Sequence, residues 1–425
     1  MFSFYHRLFI CYIYFIDITF KEKNFLFLFG ISLNKNNFDA EIIILSPYFL
    51  IFMRNTASIK GIFSLLSAFI LVFSSCKKDK DNYTIPTSYN FENVDYSGQT
   101  SRIGMLSELG TYAKSGNALN SPLLNAQKMK DMFNNSYNPF ADTTLNNSGK
   151  KLADKTVSSE AFIFEQLMDS LAAVSAFSSN GSPSLGNPGV MTNSSGTKAY
   201  LVNANGVELA QLIEKGLMGT CFYYQATAVY LGEGKMNVDN TTVTPGVGTT
   251  MEHHWDEAFG YLGVAKDFPA NLTGLKFWGK YLNDRESKLG LNATLMNAFL
   301  GGRAAISNDN LGERDVKITS IRRSWELVVA GTAVAYLNDA LAAYGNDDAE
   351  KHHALSEAYA FIYSLKWGGN ATITSSSVDA ILTLLGGSSN LLNINFYGIS
   401  NGQIQNAKDA LVNNFSSLAA VKDSL

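Results

Sequence analysis

The sequence predicts an all-α protein, a helical bundle, and three observations carry that reading. Apolar residues recur at helical spacing, as over Ser158–Ala176, where Phe162, Phe164, Leu167, Met168, Leu171 and Val174 share a face. Convincing runs of strand-like alternation are absent from Cys76 onward. Two segments at a fixed offset, EAFGYLGVAK (Glu257–Lys266) and EAYAFIYSLK (Glu357–Lys366), echo one another, as repeated helical units do.

The chain begins with targeting sequence. Residues 1–52 are rich in Phe, Ile, Tyr, Asn and Lys, and Asp17, Lys21, Lys23 and Lys35 break every apolar run. They read as an upstream extension ahead of a natural start at Met53, the alternative being an extra membrane segment. From Met53 the layout is that of a secretory signal, residues 53–75: Arg54 and Lys60, an apolar stretch Gly61–Phe73, then Ser74 and Ser75. That stretch is shorter than the ~20 apolar residues a membrane-spanning helix needs. The small-small-Cys ending resembles a bacterial lipobox, although Phe73 is bulkier than the aliphatic residue usual there. Processing before Cys76, with a lipid on its thiol, is therefore expected. Residues 76–90 form a tether, charged at Lys77, Lys78, Asp79, Lys80 and Asp81 and then extended around Pro86; residues 91–425 form the helical domain.

Beyond Cys76 the chain carries 27 basic and 33 acidic residues and no basic run after the tether, which argues against nucleic acid as a partner. Of three cysteines, Cys11 lies in the extension and Cys76 at the lipid site. Cys221 is left without a partner for a disulfide, so packing must supply the stability.

Helices are expected near Ser101–Lys114, Leu123–Phe133 and Ser158–Ala176, then at Val207–Leu231, Thr250–Lys266, Asn292–Ile306, Ile318–Tyr344 and Glu350–Lys366. Shorter ones follow at Val378–Leu385 and Gln403–Phe415. Ser178–Thr197 and Gly232–Gly248, dense in Ser, Gly, Asn, Thr and Val, read as surface loops. A second correspondence, Gly219-Thr220 with Tyr224 against Gly331-Thr332 with Tyr336, suggests two helix pairs, each setting a long Gly-Thr helix against a histidine-bearing partner. Thr249 with Glu252, and Asp347 with Glu350, have the spacing of helix N-caps. The histidine pairs His253-His254 and His352-His353 then fall in the first turns, with Glu257 reachable from His253 or His254.

The segments YTIPTSYNFENVDYSGQTSRIGMLSEL, EHHWDEAFGYLG and SWELVVAGTAVAYLNDAL resemble a family of Gram-negative surface lipoproteins that is similar to the imelysin-like proteins. The likeness runs from about Tyr83 to the C-terminal helix. It implies two related helical bundles, an outer-membrane location on the periplasmic or surface side, and an association with iron uptake in a group once classed as metallopeptidases. The imelysin-like motif is Gly-x-His-x-x-Glu. His254 and Glu257 supply its second half, while Glu252 stands where the glycine belongs.

A histidine and a carboxylate one helical turn apart are half of an iron or zinc site, and His253, Asp256 or the repeat counterparts His352, His353 and Glu357 would have to complete it. A buried hydrogen-bonded network is the alternative. Three functions follow: a non-enzymatic binding or accessory lipoprotein in iron or haem uptake, a metal-dependent hydrolase using His254 and Glu257, or a glycan-binding lipoprotein with exposed tryptophans. Nucleophile-elbow, His-Glu-x-x-His and phosphate-loop patterns are missing. Cys221 reads as a core thiol, Gly301-Gly302 as a close helix contact, and Arg322 or Arg323 as a partner for Asp256 or Glu257.

Overall fold

The computed structural model describes residues 83–425 with their side chains and, upstream, only the backbone of three strands. These strands, β1 (Cys11–Phe20), β2 (Lys23–Leu33) and β3 (Ala40–Ile44), pair antiparallel in sequence order. They fall in one unit, and residues 80–425 form another. The expected signal segment and its lipidation site Cys76 lie outside the described residues.

The second unit is a helical bundle, as the periodicity implies. It opens with α1 (Ser97–Lys114), α2 (Ala126–Asn134) and α3 (Ser158–Ser175), which pack through Leu106, Leu109, Phe133, Phe164 and Leu171. Phe162 departs from the expected stripe and points to solvent, 66% exposed. The Ser178–Thr197 segment is not wholly a loop. Its Gly189–Thr192 stretch is a strand, β4, paired antiparallel with β5 (Ala199–Val202), and Val190 is buried beneath the hairpin. A strand of four residues after Pro188, without alternating burial, is too short to show a period.

The second helix pair forms along its length, whereas the first Gly-Thr helix packs mainly on the second histidine helix and meets its own partner through Gln225–Tyr230. The first Gly-Thr helix is α4 (Leu209–Leu217), which continues as π-helix over Met218–Tyr223 and Gln225–Tyr230. Inside it the Thr220 and Thr227 hydroxyls donate back to the carbonyls of Gly216 and Tyr223, a bond that competes with regular winding. Its partner is α5 (Thr250–Gly260), shorter than expected, so Lys266 lies past the helix on the surface. After α6 (Trp278–Asp284) and α7 (Asn292–Ser307), the second pair is α8 (Leu311–Ala343) with α9 (Asp348–Ser364). Helices α10 (Ser375–Gly386) and α11 (Asn401–Val412) close the bundle. By length and composition α8 is able to cross a membrane, but most of its apolar window is buried inside the bundle.

Both caps occur where the spacing puts them. Thr249 and Glu252 form a reciprocal capping box, whereas Asp347 caps Glu350 one way only and the Glu350 side chain turns to Asn193 and Tyr200. Phe259 and Leu262 of the first pair, and Tyr359 and Ile362 of the second, are buried as expected. Gly219 does mark a close approach, but to α9 of the other pair: a Cβ there would lie 2.0 Å from Ser364 Oγ and 2.9 Å from its Cα. Gly331 does not, since it faces only the flexible ends of Leu289 and Leu418. Gly219→Ala is accordingly expected to destabilise by about 1–3 kcal/mol despite alanine's better helix propensity, because backbone must move. Gly331→Ala should be near neutral, and a urea melt of each variant compares them.

Candidate functional site

The first histidine helix meets the start of α1 because Gly260 has no side chain; a Cβ there would press on Tyr96 and Gln99 at 2.7 and 2.9 Å. This closeness brings Gln99 Nε2 to Glu257 Oε1 at 2.8 Å. The π-wound end of the Gly-Thr helix delivers Tyr230, whose hydroxyl donates to the same oxygen at 3.0 Å and accepts from Lys155 Nζ at 2.8 Å. His253, not His254, is the histidine beside Glu257, with Nε2 3.8 Å from Oε2. Above them opens a small polar cleft of about 150 Å³, lined also by Arg102, Lys150 and Asp95. Lys155 is held below the ordinary lysine range, first by burial and then by the charge of Arg102.

His254 turns away. Its Nδ1 donates to the Lys235 carbonyl at 2.9 Å, and its Nε2 lies 3.3 Å from the Lys235 ammonium. Burial, reinforced by that ammonium, holds the imidazole below its usual value. It is therefore neutral, with the Nε2 lone pair directed at a cation. Lys235 sits in the Gly232–Gly248 segment, which is a surface loop carrying one helical turn, Glu233–Met236.

Asp256 also points elsewhere. It is fully buried, accepting from Tyr89 at 2.7 Å and from Arg303 Nε at 3.0 Å. Arg303 also binds Glu252, so the partner of these acids comes from α7, one residue after Gly301-Gly302, rather than from Arg322 or Arg323. Arg322 instead donates to the carbonyls of Thr227 and Leu231, and Arg323 is exposed. Gly302 does provide close packing, against the Trp255 ring.

The second pair repeats the geometry and closes it. His353 Nε2 lies 3.6 Å from Glu357 Oε1, the same nitrogen and the same spacing as His253 with Glu257. Here Glu208 accepts from His353 Nδ1 at 2.6 Å, and Lys215 Nζ sits 3.8 Å from Glu357. Tyr200 stacks on the imidazole at 4.3 Å. His352 is taken up by the Gly206 carbonyl at 2.7 Å. Burial works against a charge on His353, but the bond to Glu208 and the fields of Glu208, Glu357 and Glu350 outweigh it and raise the imidazole above its ordinary value. A raised histidine contributes its full stability below the unfolded value, near 6.5, and loses it as pH climbs through the folded one. His353→Gln should therefore cost more stability at pH 6 than at pH 9, and thermal melts at the two pH values show whether that gap narrows.

The expected metal residues do not come together. Among the described residues no three His, Cys, Asp or Glu side chains are placed to hold a metal ion. His254, Glu257, His253 and Asp256 face three different surroundings, and the ammonium beside His254 would repel a second cation. The residues thus do not fit iron or zinc. Cys221 is buried, its thiol pushed up to about 12 by burial, as befits a core residue. Trp255, Trp278 and Trp325 are wholly buried, so they offer no exposed stacking surface for a sugar.

Residues 86–417, which contain every group described above, match the model of a family described as a domain of unknown function, DUF4856. The chain belongs to the DUF4856 family. No curated protein and no solved structure matches it significantly. The match starts within the tether, past its charged residues, and ends just past α11, so it takes in the helices of the bundle. The relation to imelysin-like proteins rests on the quoted segments and their His-x-x-Glu half-motif alone.

Sequence reasoning missed Gln99, Arg102, Lys150, Lys155 and Tyr230 on the open cleft and Glu208 and Lys215 on the closed one. Each comes from an element distant in the chain from its histidine helix, and none stands in a motif. The i, i+4 spacing of His253 to Glu257 and of His353 to Glu357 was the available signal, and it was outweighed by the three-residue spacing of the family motif.

Proposed function

We propose that this DUF4856 protein is a lipid-anchored cell-envelope protein of the outer membrane that binds a small solute without transforming it, an accessory to uptake. Its kinship is with the imelysin-like proteins, and iron acquisition is the process that kinship names. The signal layout from Met53 to Cys76 supports the anchor. The observation that carries the binding role is the open cleft over His253 and Glu257: a pocket with charged and amide groups converging, and with no three metal ligands gathered among the described residues. A benzene-sized guest fits a space of this volume.

Two measurements test the reading. Labelled fatty acid should enter the wild-type chain and partition it to membranes, and Cys76→Ser should abolish both. Small molecules released by denaturing protein purified from its native envelope, identified by mass spectrometry, should include a species missing from Lys150→Glu, which changes a side chain lining the cleft. A soluble, unacylated wild type refutes the anchor. Identical extracts from wild type and Lys150→Glu refute the binding role.

A further inference from the structure

The two histidine pairs differ in one respect that bears on the ligand. In the second, the chain supplies both neighbours of the His–Glu pair: the Glu208 carboxylate on His353 and the Lys215 ammonium beside Glu357. Both carboxylates there are buried, at most 4% exposed, while the His353 side chain keeps 20% exposure. In the first, Lys155 supplies the ammonium, reaching Glu257 through the Tyr230 hydroxyl. No carboxylate bonds the imidazole Nδ1 there. Asp95 lies on the cleft, but its Oδ1 accepts from the backbone N–H of Ser97 at 2.9 Å. The His253 Nδ1, whose counterpart on His353 is bonded to Glu208, is buried without a hydrogen-bond partner.

We infer that the cleft over His253 takes a small polar monocarboxylate, whose carboxylate stands toward Arg102, Lys150 and Lys155. This assignment rests on the binding role proposed above and names the chemistry of its ligand. Charge supports it. Three fixed cations, Arg102, Lys150 and Lys155, face two carboxylates, Asp95 and Glu257, so one negative charge balances the cleft and a dianion overshoots. The lining is mostly polar, with the Gln99 amide beside Glu257, so the rest of the guest is expected to carry hydroxyls rather than a hydrocarbon tail.

Isothermal titration of the detergent-solubilised full chain tests this with lactate, methyl lactate and inorganic phosphate as probes. Lactate should bind saturably, and methyl lactate, which lacks the charge, should not. Lys150 is exposed, so Lys150→Glu should fold and yet weaken lactate roughly tenfold or more, since a like charge now faces the carboxylate. Lys155→Met should weaken it too, while Lys198→Gln, which removes a surface cation of the closed pair, should leave it unchanged. Phosphate binding as tightly as lactate, lactate binding that survives Lys150→Glu, or no lactate binding at all overturns the assignment. A native small molecule of other chemistry, retained by wild type and lost in Lys150→Glu, would leave the binding role standing while the carboxylate falls.

Discussion

Replacing Arg303 by methionine is expected to destabilise the domain by about 3–5 kcal/mol, the usual cost of stripping one partner from a buried ion pair. The guanidinium is 1% exposed and binds Asp256 and Glu252 together, with Ser307 alongside. Without it Asp256 keeps only Tyr89 as a donor. The cost should depend on pH in a definite direction. Burial pushes the Asp256 carboxyl up to about 7 against the pull of Arg303. An acid raised by folding stabilises the native state most while protonated, so its contribution shrinks as pH climbs from its ordinary value toward the raised one. Removing Arg303 leaves burial unopposed and moves the carboxyl higher still. The penalty should thus be smaller at pH 6 than at pH 9. Urea unfolding at both values decides it, and a penalty that is flat or shrinks with pH would show that Asp256 is not the group left exposed to the loss.

Lys215→Met should be nearly as severe, about 3 kcal/mol or more. Lys215 is buried between Glu214 at 2.7 Å and Glu357 at 3.8 Å, and burial is outweighed by those two carboxylates, which hold the ammonium above the ordinary lysine range. Glu214 would retain Lys114, but Glu357 would be left with His353 and the hydroxyls of Tyr281 and Tyr336. The double variant Lys215→Met/Glu357→Gln should recover part of the loss, because the unpaired charge goes with the glutamate. Additive losses in that cycle would mean the two side chains do not interact.

Much of the bundle was legible because its cause is local. Helix starts at Thr249 and Asp347 follow from side chains that bond amides three residues on, and the buried faces of α5 and α9 follow from apolar spacing. The errors also have local causes. The β4–β5 hairpin is too brief to show a period, and α5 ends at Gly260 although the apolar pattern continues to Leu262 and beyond.

The sequence by itself determined the all-α bundle, the caps, the inert Cys221 and the pairing of the second Gly-Thr helix with its histidine helix. It also placed a histidine within reach of Glu257, but which histidine was a tertiary decision. Lys235 from a surface loop takes His254, and Arg303 from α7 takes Asp256, so only His253 remains on the glutamate. The same holds for the contrast between the open and the closed pair, set by Lys155 and Tyr230 on one side and Glu208 and Lys215 on the other. Spacing along a helix says which side chains share a face. A charged group's partner depends on which distant segment comes within about 3 Å of it, because hydrogen bonds act only over that range.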